Sequence, residues 1–162
     1  MKNTKSITIT ALSAALIFLF TWVVRVPGPI SGGLVHMGNV PFFVASIVYG
    51  PYVGAIAGAI GMGMFDIFSG YIAWAPITVI TCLIMGYVLG NVTKRFNTKN
   101  LIIGFVLMVV IKVLGYYFGE AIMYKSFVTP FASIPGNIVQ ILLSAVVVFI
   151  IINPIRKGLK SI

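Results

Sequence analysis

Three polar residues recur at four-residue steps in the most apolar part of the chain. Lys112 lies at the midpoint of the apolar run 101–118, and Tyr116 and Glu120 follow it. Residues four apart share one face of a helix. A charge at the centre of a membrane-spanning helix costs about 2.5–3.5 kcal/mol on insertion scales and normally faces a cavity or a partner. The stripe therefore predicts a small-molecule site inside a membrane protein.

The spacing within this stripe leaves room for a ligand. Lys112 and Glu120 are separated by eight residues, which is about 12 Å along a helix, so a direct salt bridge between them is not expected. Asp66 is the only other acidic residue. Its position favours either a structural role, in which it pairs with Lys112 or caps backbone N–H groups, or contact with a ligand.

Further polar and aromatic side chains map to the same end of the predicted helices. Asn137 and Gln140 are three residues apart, share a helical face, and carry amides suited to reading the edge of a ring. Trp74, like Tyr116, belongs either to an interfacial aromatic belt or to a stacking surface. His36 and Asn39 lie in the glycine-containing segment 32–39, which we expect to fold as an outer loop over a pocket mouth.

Composition places the chain in the membrane. Of its 162 residues, 60% are hydrophobic and 8% are charged, whereas soluble domains carry about 25% charged residues. The formal charge of +9 is concentrated at the two ends and in one loop, which is typical of membrane topology and argues against nucleic-acid binding. We expect a single transmembrane domain over 1–162. The single cysteine, Cys82, excludes a disulfide framework.

The apolar segments predict an all-α integral membrane protein, a six-helix transmembrane bundle with a short second helix. About 20 apolar residues span a bilayer, so the ten residues of the second segment suggest a tilted or re-entrant element buried among the others. Pro27-Gly28-Pro29 is expected to close the first helix and Pro154 to end the sixth. The predicted helices cover 7–26, 40–49, 52–68, 74–92, 101–124 and 136–153.

Basic residues orient this bundle. With the N-terminus in the cytoplasm and six crossings, only Arg25 and Lys125 fall outside, and Lys112 is intramembrane. The positive-inside rule then predicts a multi-pass protein of the cell membrane with both termini cytoplasmic. The apolar run that starts at Ile7 exceeds the length of a signal-peptide core, so we expect it to be a retained helix. The inside set is Lys2, Lys5, Lys94, Arg95, Lys99, Arg156, Lys157 and Lys160.

Small residues mark two close-packing faces. Ala11 and Ala15 form a small-xxx-small pair on the first helix, which predicts either a docking face for a partner protein or internal helix packing. Gly50, Gly54 and Gly58 repeat every four residues on the third helix. Internal packing is the favoured interpretation of these glycines, with sliding during a conformational change as the alternative.

Catalytic and energy-coupling motifs are absent from the sequence. There is no G-x-x-x-x-G-K-[ST] loop, no Ser/His/Asp pattern, and no Cys/His/carboxylate set for a metal site. We therefore expect no enzyme activity, no metal and no cofactor bound by this chain. One competing function is a stand-alone secondary transporter or channel that uses Asp66, Lys112 and Glu120 as a charge relay.

Five segments spread over nearly the whole chain form a pattern together, although each alone is a weak signal. The segments are Ala11-Leu-Ser-Ala-Ala15, Val35-His-Met-Gly-Asn39, Val48-Tyr-Gly-Pro-Tyr-Val-Gly-Ala-Ile-Ala-Gly58, Asp66-Ile-Phe-Ser-Gly70 and Pro135-Gly-Asn-Ile-Val-Gln140. In these segments the chain resembles the substrate-binding S components of energy-coupling factor (ECF) vitamin transporters, in the branch for hydroxymethylpyrimidine or riboflavin-type substrates.

The resemblance implies a six-helix membrane protein that captures a vitamin from outside. It also implies a complex with a transmembrane T subunit and two cytoplasmic ATPases, which would use the ATP, and it maps the docking motif onto Ala11 and Ala15. Hydroxymethylpyrimidine is the first choice of ligand, followed by pyridoxine and riboflavin. Many members of the branch have an acidic residue where Asn39 stands, which leaves the vitamin open. The expected pocket residues are His36, Asn39, Trp74, Lys112, Tyr116, Glu120, Asn137 and Gln140.

Overall fold

A computed structural model of the chain describes residues 2–27 and 34–160. Among these residues, five helices are long and apolar enough to cross a membrane, and a sixth is short. The predicted helical membrane fold is thus confirmed, while a full sixth crossing is not supported by helix length. The helices are α1 (Lys2–Val23), α2 (Asn39–Tyr49), α3 (Pro51–Phe68), α4 (Ala75–Val92), α5 (Thr98–Tyr124) and α6 (Ile134–Lys160).

The short helix α2 lies inside the bundle. Eight of its eleven residues are buried, and it packs against α1, α3, α4 and α6. At 1.5 Å per residue it extends about 16 Å, against about 30 Å for the hydrocarbon core of a bilayer. The expectation of a short element buried among the other helices is confirmed.

Glycines allow α3 to lie close to α2. A Cβ on Gly58 would clash with the ring of Phe42, and a Cβ on Gly54 would clash with Ser46. Both clashes involve buried residues of α2, so the glycines serve internal packing, as the sequence favours. Gly50 has a φ of 94° and forms the turn between the two helices, and Pro51 then occupies the first turn of α3, where proline is tolerated.

A two-stranded hairpin follows α1 and was not predicted. Strands β1 (Arg25–Pro27) and β2 (Leu34–His36) pair antiparallel, with Arg25 opposite His36. Helix α1 ends at Val23, three residues before its predicted end, because the chain turns there into β1. Each strand has only three residues, so the fold class remains all-α. Gly28, Pro29, Gly32 and Gly33, which the sequence analysis singled out, lie outside the described residues.

Helix α6 does not end at Pro154, so that prediction is wrong. The helix continues from Ile134 to Lys160 with the proline inside it. Proline removes one helical hydrogen bond, but membrane helices tolerate this where neighbouring groups support the chain. Arg156, just beyond the proline, places its guanidinium 3.9 Å from the ring centroid of Phe96 in the α4–α5 connection, a contact between the last turns of α6 and that connection.

Short connections flank α5 at both of its ends. Asn97 caps α5 by accepting a 2.8 Å hydrogen bond from the backbone N–H of Asn100. At the other end of α5, Lys125 adopts a left-handed conformation with a φ of 51° and closes the helix. A 3-10 helix over Thr129–Ser133 then leads into α6, within the segment predicted as a loop.

Candidate ligand-binding site

One cavity of about 80 Å³ lies where the ends of several elements converge. Strand β2, the last turn of α3, the segment before α4, the C-terminal half of α5 and the first turns of α6 all contribute to its walls. The lining residues are Leu34, His36, Phe65, Asp66, Tyr71, Trp74, Thr78, Lys112, Tyr116, Glu120, Ala132, Ser133, Gly136, Asn137 and Gln140.

Seven of the eight residues expected in the pocket line this cavity, and Asn39 does not. Asn39 is 1% exposed and begins α2, the helix enclosed by the bundle, so its backbone position draws it into the interior. Both polar atoms of its side-chain amide lack a hydrogen-bond partner among the described residues. The seven are His36, Trp74, Lys112, Tyr116, Glu120, Asn137 and Gln140.

The stripe on α5 faces the cavity as its spacing predicts. Lys112 and Glu120 are 3% and 4% exposed, and both line the cavity together with Tyr116. The Lys112 Nζ atom lies 5.0 Å from the centroid of the Tyr116 ring. A cation over an aromatic face is stabilised by about 0.5–2 kcal/mol, depending on desolvation, so Tyr116 partly offsets the cost of the buried lysine.

Two hydrogen bonds connect α4 and the segment before it to this stripe. The indole N–H of Trp74 donates to Glu120 Oε1 over 3.0 Å, and the Thr78 and Tyr116 hydroxyls are 2.8 Å apart. Trp74 and Thr78 are four residues apart, so both can reach α5 from one face. These contacts fix the side chains of Glu120 and Tyr116 before any ligand enters.

Each of the two acidic side chains has one free carboxylate oxygen. Asp66 Oδ2 and Glu120 Oε2 are buried and have no hydrogen-bond partner among the described residues. The pairing of Asp66 with Lys112 that the sequence left open is therefore not seen at this oxygen. Leaving a buried polar group unpaired costs about 1–3 kcal/mol, and more for a charged group. Such groups in a cavity call for a partner that is not found among residues 2–27 and 34–160.

Gln140 links the hairpin to α6 beside the cavity. Its Nε2 donates to the backbone carbonyl of His36 over 3.2 Å, so α6 holds β2 over one side of the site. The His36 ring lies 6.1 Å from that of Phe65, and its Nδ1 is buried without a partner among the described residues. Burial lowers the pKa of His36 well below its usual value, and the charge of Lys112 lowers it further, so the imidazole is neutral at pH 7.

Aromatic side chains form a second wall, which the sequence analysis only partly identified. The rings of Phe65 and Tyr71 are stacked, with an interplanar angle of 20° and centroids 6.4 Å apart. Tyr71 in turn meets Trp74 edge-on at 5.9 Å. Phe65 and Thr78 were not selected from the sequence, although Phe65 adjoins Asp66 and Thr78 shares a helical face with Trp74. Ser133 carries no signal that would have selected it.

The two alanines proposed for docking lie on an open face of α1. Ala11 and Ala15 are exposed, whereas Ala14 and Ile17 on the other side of the helix are buried. Internal packing therefore does not explain the pair in the described structure. A role in partner docking remains a prediction.

Comparison with known proteins supplies a family for this chain. Residues 1–157 match the family model described as "ECF-type riboflavin transporter, S component". The chain is also similar to an uncharacterized protein of Pyrococcus woesei, with 31% identity over 105 residues that cover 64% of this chain and 70% of the relative.

Proposed function

Because the chain belongs to the S-component family of ECF-type riboflavin transporters, we propose that it captures a small vitamin or vitamin precursor from outside the cell and delivers it across the membrane. The family membership makes the chain a multi-pass membrane transport subunit rather than an enzyme. The observation that supports capture is the convergence of seven sequence-predicted side chains on one cavity. Our first choice of ligand is hydroxymethylpyrimidine, followed by pyridoxine and riboflavin.

The size of the cavity supports a small ligand. A buried water needs roughly 10–15 Å³ of comparable volume, so the cavity of about 80 Å³ corresponds to roughly five to eight waters. A single substituted ring matches that space better than the three fused rings and polyol chain of riboflavin.

The directions of the helices support the proposal that both ends of the chain lie on the same side of the membrane. The cavity lies at the end of α3 and α5 and at the start of α4 and α6. Pro51, at the start of α3, lies close to Gly90 near the end of α4, so α2 runs from the cavity end of the bundle to the opposite end. We place the cavity on the outer side and both termini in the cytoplasm, where the basic residues would follow the positive-inside rule.

The proposed transport step depends on partner subunits. We propose a transmembrane T subunit that docks on the α1 face containing Ala11 and Ala15, and two cytoplasmic ATPases that hydrolyse the ATP. Exposed small residues support docking because they let a second helix approach closely. This chain would supply ligand recognition and no cofactor.

A stand-alone secondary transporter or channel is the second candidate. The observation that favours it is that Asp66, Lys112 and Glu120 all line one cavity and could relay charge. Uptake into proteoliposomes separates the two functions. With the S component alone, uptake supports the stand-alone transporter. Uptake that requires the T subunit, the ATPases and ATP supports the ECF assignment.

Ligand capture is tested on the purified S component by calorimetry against B vitamins and their precursors. Saturable one-to-one binding of one compound, with affinity lowered at least tenfold by Glu120→Ala, supports capture in this cavity. A chain that binds none of them would contradict the proposed function. Lys94→Ala, which changes an exposed residue in the α4–α5 connection, serves as the control.

A further inference from the structure

A second cavity, an open groove of about 400 Å³, lies between the start of α3 and the end of α4. We infer that this α3–α4 groove binds one acyl chain of an anionic phospholipid, whose phosphate is held by Lys94 and Arg95. The groove is at the opposite end of the bundle from the ligand cavity, and the described linings of the two share no residue. The inference therefore stands or fails separately from the proposed function.

The walls of the groove are apolar and open. Ile56 of α3 and Leu83 of α4 line it and are exposed, and the buried Ala55 forms its floor. The floor is tight because a Cβ on Gly86 would clash with the backbone of Ala55. Within a bilayer, an apolar surface gains from close packing rather than from leaving water. A long hydrocarbon chain can make such contacts along the whole groove.

A pair of tyrosines favours a lipid chain over a partner helix. Tyr52 and Tyr87 line the groove from its two sides, and their ring centroids are 5.7 Å apart. An α-helix with its side chains is about 10–12 Å across, so it cannot enter between these rings. A single acyl chain can lie against them, and tyrosine is typical of the level at which lipid headgroups begin.

Positive charge lies beyond the groove on the same side of α4. Tyr87 and Lys94 are seven residues apart, which is about two helical turns and about 10 Å along the axis, so they share a face. The backbone N–H of Lys94 donates to the Asn91 carbonyl over 3.3 Å, which extends the turn to this residue. Lys94 and the adjacent Arg95 are exposed. A lipid seated in the groove would place its phosphate near both.

The chain offers these two cations no acidic side chain. Asp66 and Glu120 are the only acidic residues in the sequence, and both line the ligand cavity at the other end of the bundle. The loop is nevertheless ordered, because the side chain of Asn100 donates to the Arg95 carbonyl over 2.7 Å. Guanidinium and ammonium groups form strong charge-assisted hydrogen bonds with phosphate. In the proposed orientation they also face the cytoplasmic leaflet, whose surface is negatively charged.

The test is competition between two lipids that differ only in their headgroups. The purified chain, in a non-ionic detergent, is offered an equimolar mixture of phosphatidylglycerol and phosphatidylcholine with the same palmitoyl and oleoyl chains. Native mass spectrometry then counts the bound lipids. We expect one retained phosphatidylglycerol, with at least a tenfold preference over phosphatidylcholine. Equal retention of the two lipids, no retained lipid, or binding that does not saturate at one would overturn the inference.

Two double variants separate a defined headgroup site from diffuse surface charge. We expect Lys94→Gln/Arg95→Gln to lower the preference for phosphatidylglycerol at least tenfold. The matched control is Lys99→Gln/Lys157→Gln, which removes the same charge from exposed positions on α5 and α6, helices that do not line the groove. Equal losses in both would contradict the site. Vitamin binding at the other end of the bundle should not respond to Lys94.

A bulky side chain in the groove tests the position of the acyl chain. Ile56→Trp fills the groove, whereas Ile60→Trp adds the same bulk to an exposed position one turn further along α3, outside the lining. We expect retained phosphatidylglycerol to fall at least tenfold in Ile56→Trp only. Mass spectrometry counts lipid on folded chains, and Leu83→Trp fills the groove from α4 if Ile56→Trp does not fold. If filling the groove leaves lipid retention unchanged but prevents assembly with a T subunit, the groove takes a protein helix and the inference is wrong.

Discussion

The indole of Trp74 donates a 3.0 Å hydrogen bond to one carboxylate oxygen of Glu120 and leaves the other oxygen free. The two residues are 46 positions apart in the chain, one just before α4 and the other near the end of α5. Trp74 therefore works on the site in two ways. Its ring forms part of the cavity wall, and its N–H sets the direction in which Glu120 presents its unpaired oxygen.

Trp74→Phe separates these two contributions. The ring surface is largely kept, but Glu120 loses its donor and can rotate, so both of its oxygens compete for the ligand or for water. We expect ligand affinity to fall about tenfold, which matches the loss of one hydrogen bond to a charged group. Calorimetry on the purified S component measures this. Trp22→Phe is the control, because Trp22 does not line the cavity, and equal losses in both variants would contradict the assignment.

Gln140→Ala removes the side chain that holds the hairpin to α6. We expect ligand affinity to drop at least tenfold, with little change in melting temperature, because one neutral hydrogen bond contributes only about 0.5–1.5 kcal/mol to stability. Hydrogen exchange should accelerate at the backbone amides of β2. The matched control is Asn91→Ala, which removes an exposed amide bonded to the Tyr87 carbonyl. If hydrogen exchange in β2 and ligand affinity were both unchanged, the hydrogen bond from Gln140 to the His36 carbonyl would have no role in binding.

Lys112→Met tests whether the buried lysine balances the carboxylates. Lys112 is the lysine that lines the cavity with Asp66 and Glu120, so its removal leaves two like charges in a desolvated space. We expect a lower melting temperature, and a partial recovery when Asp66→Asn is added. A coupling free energy of at least about 0.5 kcal/mol in this double-mutant cycle would support direct interaction.

The opposite result for Lys112→Met would argue against a structural role for this lysine. If Lys112→Met melts at or above the wild-type temperature and loses ligand binding, the lysine is present for the ligand alone. Lys94→Met, which replaces an exposed lysine, measures the effect of the added methionine away from the cavity.

Ala11→Trp and Ala15→Trp place bulk on the open face of α1. Because both alanines are exposed while Ala14 beside them is buried, we expect normal folding and ligand binding in the isolated chain. Uptake by the full complex should be lost, since close helix approach is blocked. Ile84→Trp, on the exposed side of α4, is the control for added surface bulk. Intact uptake in both alanine variants would move the docking face elsewhere.

Topology can be read from the two ends of α5. Lys99 and Lys125 are exposed and lie at opposite ends of this 27-residue helix, and the native Cys82 is buried, so it should not react. In intact cells, an impermeant maleimide should label Lys125→Cys and not Lys99→Cys. The reverse pattern would invert the proposed orientation. Ser161, the position that would report on the C-terminus, lies outside the described residues.

Most of the correct sequence predictions followed from the lengths of the apolar segments and from the spacing of residues along a helix. The stripe of Lys112, Tyr116 and Glu120 could be assigned to one face because a helix repeats every 3.6 residues. Asn137 and Gln140 followed the same rule. Each of these assignments needed only local geometry and the high cost of burying polar groups in a membrane.

The remaining features depend on contacts between distant segments. Asn39 was assigned to the pocket because the chain around it reads as a loop, but it begins a buried helix whose enclosure is set by α1, α3, α4 and α6. The hairpin, too, has strands of only three residues each, which are too short to give an alternating pattern. Pro154 reads as a helix end, but α6 continues to Lys160, and beyond the proline Arg156 contacts the distant ring of Phe96.

The enclosure of α2 has a consequence for biogenesis. An element that extends about 16 Å cannot be retained in the bilayer as an independent span, so it must enter together with α3 as a helical pair joined at Gly50. Its remaining neighbours, α4 and α6, follow α2 and α3 in the chain and are synthesised after them. The buried Asn39 therefore stays only partly covered until α6 inserts, and the cavity, which Asn137 and Gln140 of α6 help to line, can close only after that step.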